Sequence, residues 1–241
     1  MTEARHEPVE EPGAAAAPRS EEPLLVEDLL LLLFQPDSGA IAGETTLFHV
    51  LGGAVVADLA LRDLTEATGR PAHRIAVRGD APEDDILRTA WDYVNRKPQD
   101  PQSVIAAIGP PLRSQVLDRL VDGGHLHRHR TKKLGFIPST SLELASPRRG
   151  ELLERVRATL VDQAEPDGRT AALAALLSAS ANLHQFDPEI PWTSEVIHRA
   201  KELETGNWGA AAAGTSVTMT TLAIILSGLG AANAANAAAR R

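Results

Sequence analysis

Cysteine is absent from all 241 residues, which excludes disulfides, thiolate metal sites and thiol nucleophiles. A chain without disulfides fits a reducing cytoplasm. Aromatic residues are scarce at 3%, so the core has to come from Ala, Leu, Val and Ile, a set that favours helix over strand. Basic residues are outnumbered, 24 against 32 acidic, for a net charge of −8. That balance argues against a nucleic-acid partner, which needs many cations facing phosphates, yet it leaves room for a local basic patch. The opening MTEARHEPVEEPG has no basic segment leading into an apolar run, so no signal peptide is expected. Also missing are GxxxxGK followed by Ser or Thr, GxGxxG after a strand, GxSxG and HExxH. Without a nucleophile–base pair or a full ligand set, no catalytic centre and no cofactor are expected.

What is present divides into three parts. Residues 1–22 are Glu, Ala and Pro with hardly any large apolar group, and are expected to form a disordered acidic tail. Residues 23–208 carry the helical patterning. Residues 209–239 have no charge at all and are rich in Ala. Order is expected from Pro23, a residue suited to a first helical turn. LLVEDLLLLLF (Leu24–Phe34) is apolar on all sides but too short to span a bilayer, so it predicts a buried core helix. Leu47, Phe48, Leu51, Val55 and Leu59 recur at helical spacing within Thr45–Leu64. Gly52 and Gly53 interrupt that helix and imply close packing by a neighbour. Asp58 and Arg62, four apart with the acid first, read as a surface pair. Leu29–Leu33 and Val55–Leu59 are expected in the core.

His73–Arg78 alternates like a short strand. Glu83–Arg96, Pro110–Val121, Pro147–Gln163, Arg169–His184 and Thr193–Glu204 predict further helices. Between them, residues 125–144 (HLHRHRTKKLGFIPSTSLEL) alternate, turn near Thr131–Lys133 and alternate again, a β-hairpin signal. In the uncharged C-terminal stretch, TMTTLAIILSGLG (Thr218–Gly230) is the apolar centre. Its large apolar groups are few for a membrane span, which favours a packing helix over a transmembrane one.

Glu83, Asp84 and Asp85 sit at a helix start, where acid complements the helix dipole without any catalytic role. His125, His127 and His129 alternate on the first hairpin strand and would share a face, so a zinc site is conceivable. Neighbouring cations and the lack of an orienting carboxylate weigh against it. A pH-sensing role for the same histidines is a weaker alternative. The strongest functional signal is the charge on that hairpin. Arg128, Arg130, Lys132 and Lys133 fall within six residues and lead directly into Leu134, Phe136 and Ile137. Cations beside a small apolar tip suit the boundary of an anionic bilayer, where each basic group adds about 1 kcal/mol near the surface. The alternative is that Phe136 and Ile137 face the core and the basic residues are simply solvated.

LLVEDLLLLLF, LGGAVVADLALRDL, LRSQVLDRLVDGGHL, KKLGFIP and RTAALAALLSA, in this order and spacing, resemble the Golgi phosphoprotein 3 family, specifically its bacterial, actinomycete-like branch. The likeness covers roughly Leu24 to Trp208. It implies a mainly α fold: one globular helical domain with a central buried helix and a projecting β-hairpin. Eukaryotic members are non-enzymatic adaptors that bind phosphatidylinositol 4-phosphate and recruit glycosyltransferases. A tryptophan and three arginines form their head-group pocket, and the hairpin tip enters lipid. Here Gly43 stands at the tryptophan, Gly52 at the first arginine, Pro110 at the second and Arg113 at the third. Only Arg113 keeps the family residue, with support expected from nearby backbone N–H groups at a helix start. The hairpin matches without a gap, with Leu134, Phe136 and Ile137 on the apolar tip. The resemblance therefore implies a cytoplasmic, peripherally membrane-associated protein whose partner is anionic phospholipid or phosphoinositide, with tethering of a protein partner as a further role. A soluble scaffold in which the hairpin serves homo-oligomer assembly is the competing reading.

Overall fold

The computed structural model describes residues 22–69, 73–133, 137–206, and 222, 223, 225, 226, 228 and 229; side chains of residues 130–139 lie outside that description. Of the expected tail, only Glu22 is among the described residues.

The fold is mainly α, as expected. Helix α1 (Leu25–Leu33) has eight of its nine residues buried, which follows from an apolar run that presents no polar face. The Leu24 N–H donates to Glu27 Oε2 at 2.8 Å and so satisfies one donor at the helix start. The chain leaves α1 through a short antiparallel pair, β1 (Phe34–Gln35) with β2 (Ala40–Ile41). Helix α2 (Leu47–Leu61) has twelve of fifteen residues buried and packs against α1, α3 (Asp85–Asn95), α4 (Pro101–Asp122) and α6 (Gly168–Ala179). It is the central buried helix. Leu29–Leu33 and the stretch Val55–Leu59 lie in the core as expected. Each large side chain there contributes about 1.5–3 kcal/mol by leaving water.

The glycine pair in α2 has two different neighbours. A Cβ on Gly52 would stand 3.1 Å from the Ile105 carbonyl of α4, and one on Gly53 would stand 2.1 Å from Leu229 Cδ1. Glycine thus lets α2 touch α4 on one side and the C-terminal segment on the other. Leu222, Ile225, Leu226 and Leu229 are helical and fully buried, the i, i+3, i+4, i+7 spacing of one packed helix face. Among the described residues, no helix is long and apolar enough to cross a membrane.

Several expectations shift. The expected strand is β4 (Arg74–Val77), which pairs with β3 (Thr65–Thr68), a strand the sequence pattern did not reveal. Helix α4 does not start at Pro110. It starts at Pro101, where Asp100 caps it by accepting from the Ser103 N–H at 2.9 Å, and it carries Pro110 and Pro111 inside. Those prolines would remove the bonds to the Ala106 and Ala107 carbonyls, but all four residues lie on the exposed face, where water can take the freed groups. Asp58 is not on the surface. It is 1% exposed, receives the Leu25 N–H at 2.8 Å and Arg62 Nε at 2.8 Å, and joins α2 to the start of α1. Burial pushes its carboxyl above the usual range, against the opposing pull of Arg62. The remaining helices are α5 (Arg148–Leu160), α6 and α7 (Ser194–Glu204). The helix expected to His184 ends at Ala179, and a single 3-10 turn follows at Leu183–Phe186.

Candidate functional site

The hairpin consists of β5 (Leu126–Lys133) and β6 (Ile137–Leu144), antiparallel and in register from Leu126↔Leu144 to Lys133↔Ile137. Because Lys133 still pairs, the reversal follows it and does not begin at Thr131 as the alternation suggested. Leu126 is buried at the base, with Leu142 and Leu144 partly buried against the core. Among the described residues, β5 also meets α4, and the Leu142 carbonyl of β6 lies beside Gly39.

The first cation of the basic run, Arg128, lies opposite Leu142 and is anchored on α4. Its Nη2 donates to Asp118 Oδ1 at 2.7 Å. Backbone pairing sets Arg130 opposite Thr140, Lys132 opposite Pro138 and Lys133 opposite Ile137. The side chains of Arg130, Lys132, Lys133 and Ile137, and all of Leu134 and Phe136, lie outside the described residues. The hairpin therefore carries the expected cations in the expected strand, while the alternatives for its tip stay as the sequence leaves them.

The histidines do not converge. His125 precedes β5, is half-buried and bonds Ser146 Oγ through Nδ1 at 2.9 Å. Burial, then the charge of Arg148, holds its pKa below the usual histidine value, with Glu27 and Asp28 opposing. His129 Nε2 lies 2.9 Å from Glu143 Oε2, and the His127 ring stands 6.2 Å from that of His129. Among the described residues, no group of three His, Cys, Asp or Glu side chains could hold a metal ion.

Arg113 projects from the middle of α4, not from its start. The backbone N–H groups around it belong to the helix ladder, so the support expected from free N–H groups is absent there. Its partner is Glu44, 69 residues earlier. Nε donates to Oε2 at 2.9 Å and Nη2 to Oε1 at 2.6 Å, an Arg–carboxylate fork between two half-exposed side chains. These hydrogen bonds hold the guanidinium still more firmly protonated, against the effect of burial. Glu44 is placed by the turn before α2. Gly43 has φ +72°, and the Thr46 N–H closes onto its carbonyl at 2.9 Å. The three positions without the expected side chains are engaged in packing or helix structure. A Cβ on Gly43 would meet the Asn182 amide nitrogen at 2.2 Å, Gly52 touches Ile105, and Pro110 is held inside α4. No sequence signal pointed to Glu44, because nothing local links it to Arg113.

Asp84 caps α3, accepting from the Ile86 and Leu87 N–H groups at 2.9 and 3.1 Å. It also receives Arg119 Nη2 at 2.6 Å, while Arg119 Nε reaches Glu27 at 2.8 Å. Burial raises its carboxyl, but Arg119 and the two N–H donors outweigh that and hold it below the usual range. Asp84 thus serves the start of α3 and ties it to α4.

The family model for Golgi phosphoprotein 3 (GPP34) matches residues 25–220, most of the chain and beyond the Trp208 limit read from the sequence. No curated protein matches the chain.

Proposed function

The chain belongs to the Golgi phosphoprotein 3 family, and from that membership we propose a peripheral membrane protein that docks on anionic lipid through its hairpin. The observation that carries this reading is the placement of Arg128, Arg130, Lys132 and Lys133 along one strand of a hairpin, with Leu134 and Phe136 next in the sequence. The cations supply attraction to an anionic leaflet, and these apolar residues enter the acyl boundary. Arg113 provides a weaker head-group contact on α4. The protein acts on the cytoplasmic face without chemistry of its own, and tethering of a protein partner follows the same family pattern.

The test is co-sedimentation of the full chain with phosphatidylcholine vesicles, with and without phosphatidylglycerol. The wild type binds only the anionic vesicles, and Lys132→Glu with Lys133→Glu abolishes binding while leaving the melting temperature unchanged. Undiminished sedimentation of that variant would refute docking through the hairpin. Loss of self-association in its place would favour the soluble scaffold.

A further inference from the structure

The geometry points to Glu44 as an internal competitor that holds down the affinity of Arg113 for anions. This rests on the reading of Arg113 as a head-group contact. A guanidinium binds a phosphate or carboxylate best through two parallel N–H donors on one edge. On Arg113, the Nε/Nη2 edge is already taken by both oxygens of Glu44, at 2.9 and 2.6 Å. An incoming anion must displace that carboxylate or bind beside it against its charge.

The backbone of Glu44 is held in place, while its side chain is free to turn into solvent. The turn Gly43–Thr46 fixes its backbone, closed by two bonds from Thr46 to the Gly43 carbonyl, 2.9 Å from the N–H and 3.3 Å from the hydroxyl. Gly43 packs against the Asn182 side chain. At 46% and 47% exposure, however, both side chains are open to solvent, so the pair can be exchanged. A half-exposed ion pair is worth little. Displacing Glu44 costs the same for a singly charged phosphodiester as for a phosphomonoester, which carries about −1.5 to −2 near neutral pH. Glu44 therefore weakens both classes of head group at Arg113.

The experiment compares wild type, Glu44→Gln, Arg113→Ala and the double variant. One readout is binding to phosphatidylcholine vesicles containing phosphatidylglycerol, a diester, or phosphatidic acid, a monoester. The second is the rise in melting temperature with inorganic phosphate, which needs no membrane. Glu44→Gln should raise binding to phosphatidylglycerol and to phosphatidic acid each about threefold, the size expected for loss of an exposed pair. The same change should increase the stabilisation by phosphate. Arg113→Ala should cancel each gain. An equal gain in the Arg113→Ala background would mean that removing a negative charge acts at long range, and would overturn the proposal. So would no gain in either readout. Failure of all four proteins on vesicles, with an Arg113-dependent gain in phosphate stabilisation, would instead sink the membrane reading and uphold the role of Glu44.

Discussion

Arg169 Nη2 lies 2.7 Å from Asp28 Oδ2, and that contact ties α6 to α1 across 141 residues of sequence. Asp28 is 1% exposed, and its other oxygen receives Arg148 of α5, whose Nε stands 2.8 Å away. Arg169 also donates to the Pro23 carbonyl and lies 4.0 Å from Asp58. Two buried acids, Asp28 and Asp58, are thus paired with Arg148 of α5, Arg169 of α6 and Arg62 just after α2. Removing one partner of a buried pair leaves charge uncompensated and costs about 3–5 kcal/mol. Arg169→Ala should fall near the lower figure, since Arg148 remains, and denaturant unfolding would measure it. Arg157→Ala, which breaks exposed pairs with Glu154 and Asp162, should cost about 1 kcal/mol or less.

Two helical glycines should respond in opposite directions to alanine. Gly150 lies in α5, and a Cβ there would meet nothing within 4 Å. Gly150→Ala should stabilise by about 0.5–1 kcal/mol, the helix preference of alanine over glycine. At Gly109 in α4, a Cβ would stand 2.5 Å from the Phe48 carbonyl oxygen, a backbone atom that cannot swing aside. Gly109→Ala should destabilise by about 1–3 kcal/mol despite the same preference. Thermal melts of the two variants would check both signs.

His125 should make the fold sensitive to mild acid. Its folded-state pKa is depressed, so the folded protein resists protonation more than the unfolded chain does. The stability concerned is present above the ordinary value of 6.5 and is lost as pH falls from there through the depressed folded value. The groups facing it are Ser146, Arg148, Glu27 and Asp28. His125→Gln should flatten the fall in melting temperature between 6.5 and the carboxylate range, and an unchanged slope would contradict this.

How far the sequence could be read depends on how local each cause is. The α1 core helix and the hairpin strands rest on neighbours within a few residues, and they stand where periodicity puts them. Asp58 misled because acid-then-base at a spacing of four describes a surface pair and a buried one equally well. The burial comes from α1, whose Leu25 N–H reaches it from 33 residues away. Pro110 misled because proline suits a helix start. Its tolerance inside α4 depends on exposure of Ala106 and Ala107, which only packing decides. Strand β3 escaped because its pattern gains meaning only beside β4. The Arg113–Glu44 fork, the most specific geometry at the proposed site, spans 69 residues and has no local signature.

Phe136→Ser separates membrane insertion from core packing. Loss of a ring that enters lipid should weaken vesicle binding even at low salt, where the cations act fully, and leave the melting temperature unchanged. A lowered melting temperature with normal vesicle binding would mean that the ring packs in the core.

The central claim is membrane docking by charge and apolar insertion together, and the salt dependence of wild-type binding to phosphatidylglycerol vesicles tests it most directly. Exposed charges are screened beyond about 8 Å at physiological ionic strength, so the bound fraction should fall steeply with added salt. It should level off above zero because the apolar contribution is insensitive to salt. Absence of binding to these vesicles at low salt, or equal binding to phosphatidylcholine alone at every salt concentration, would contradict the account.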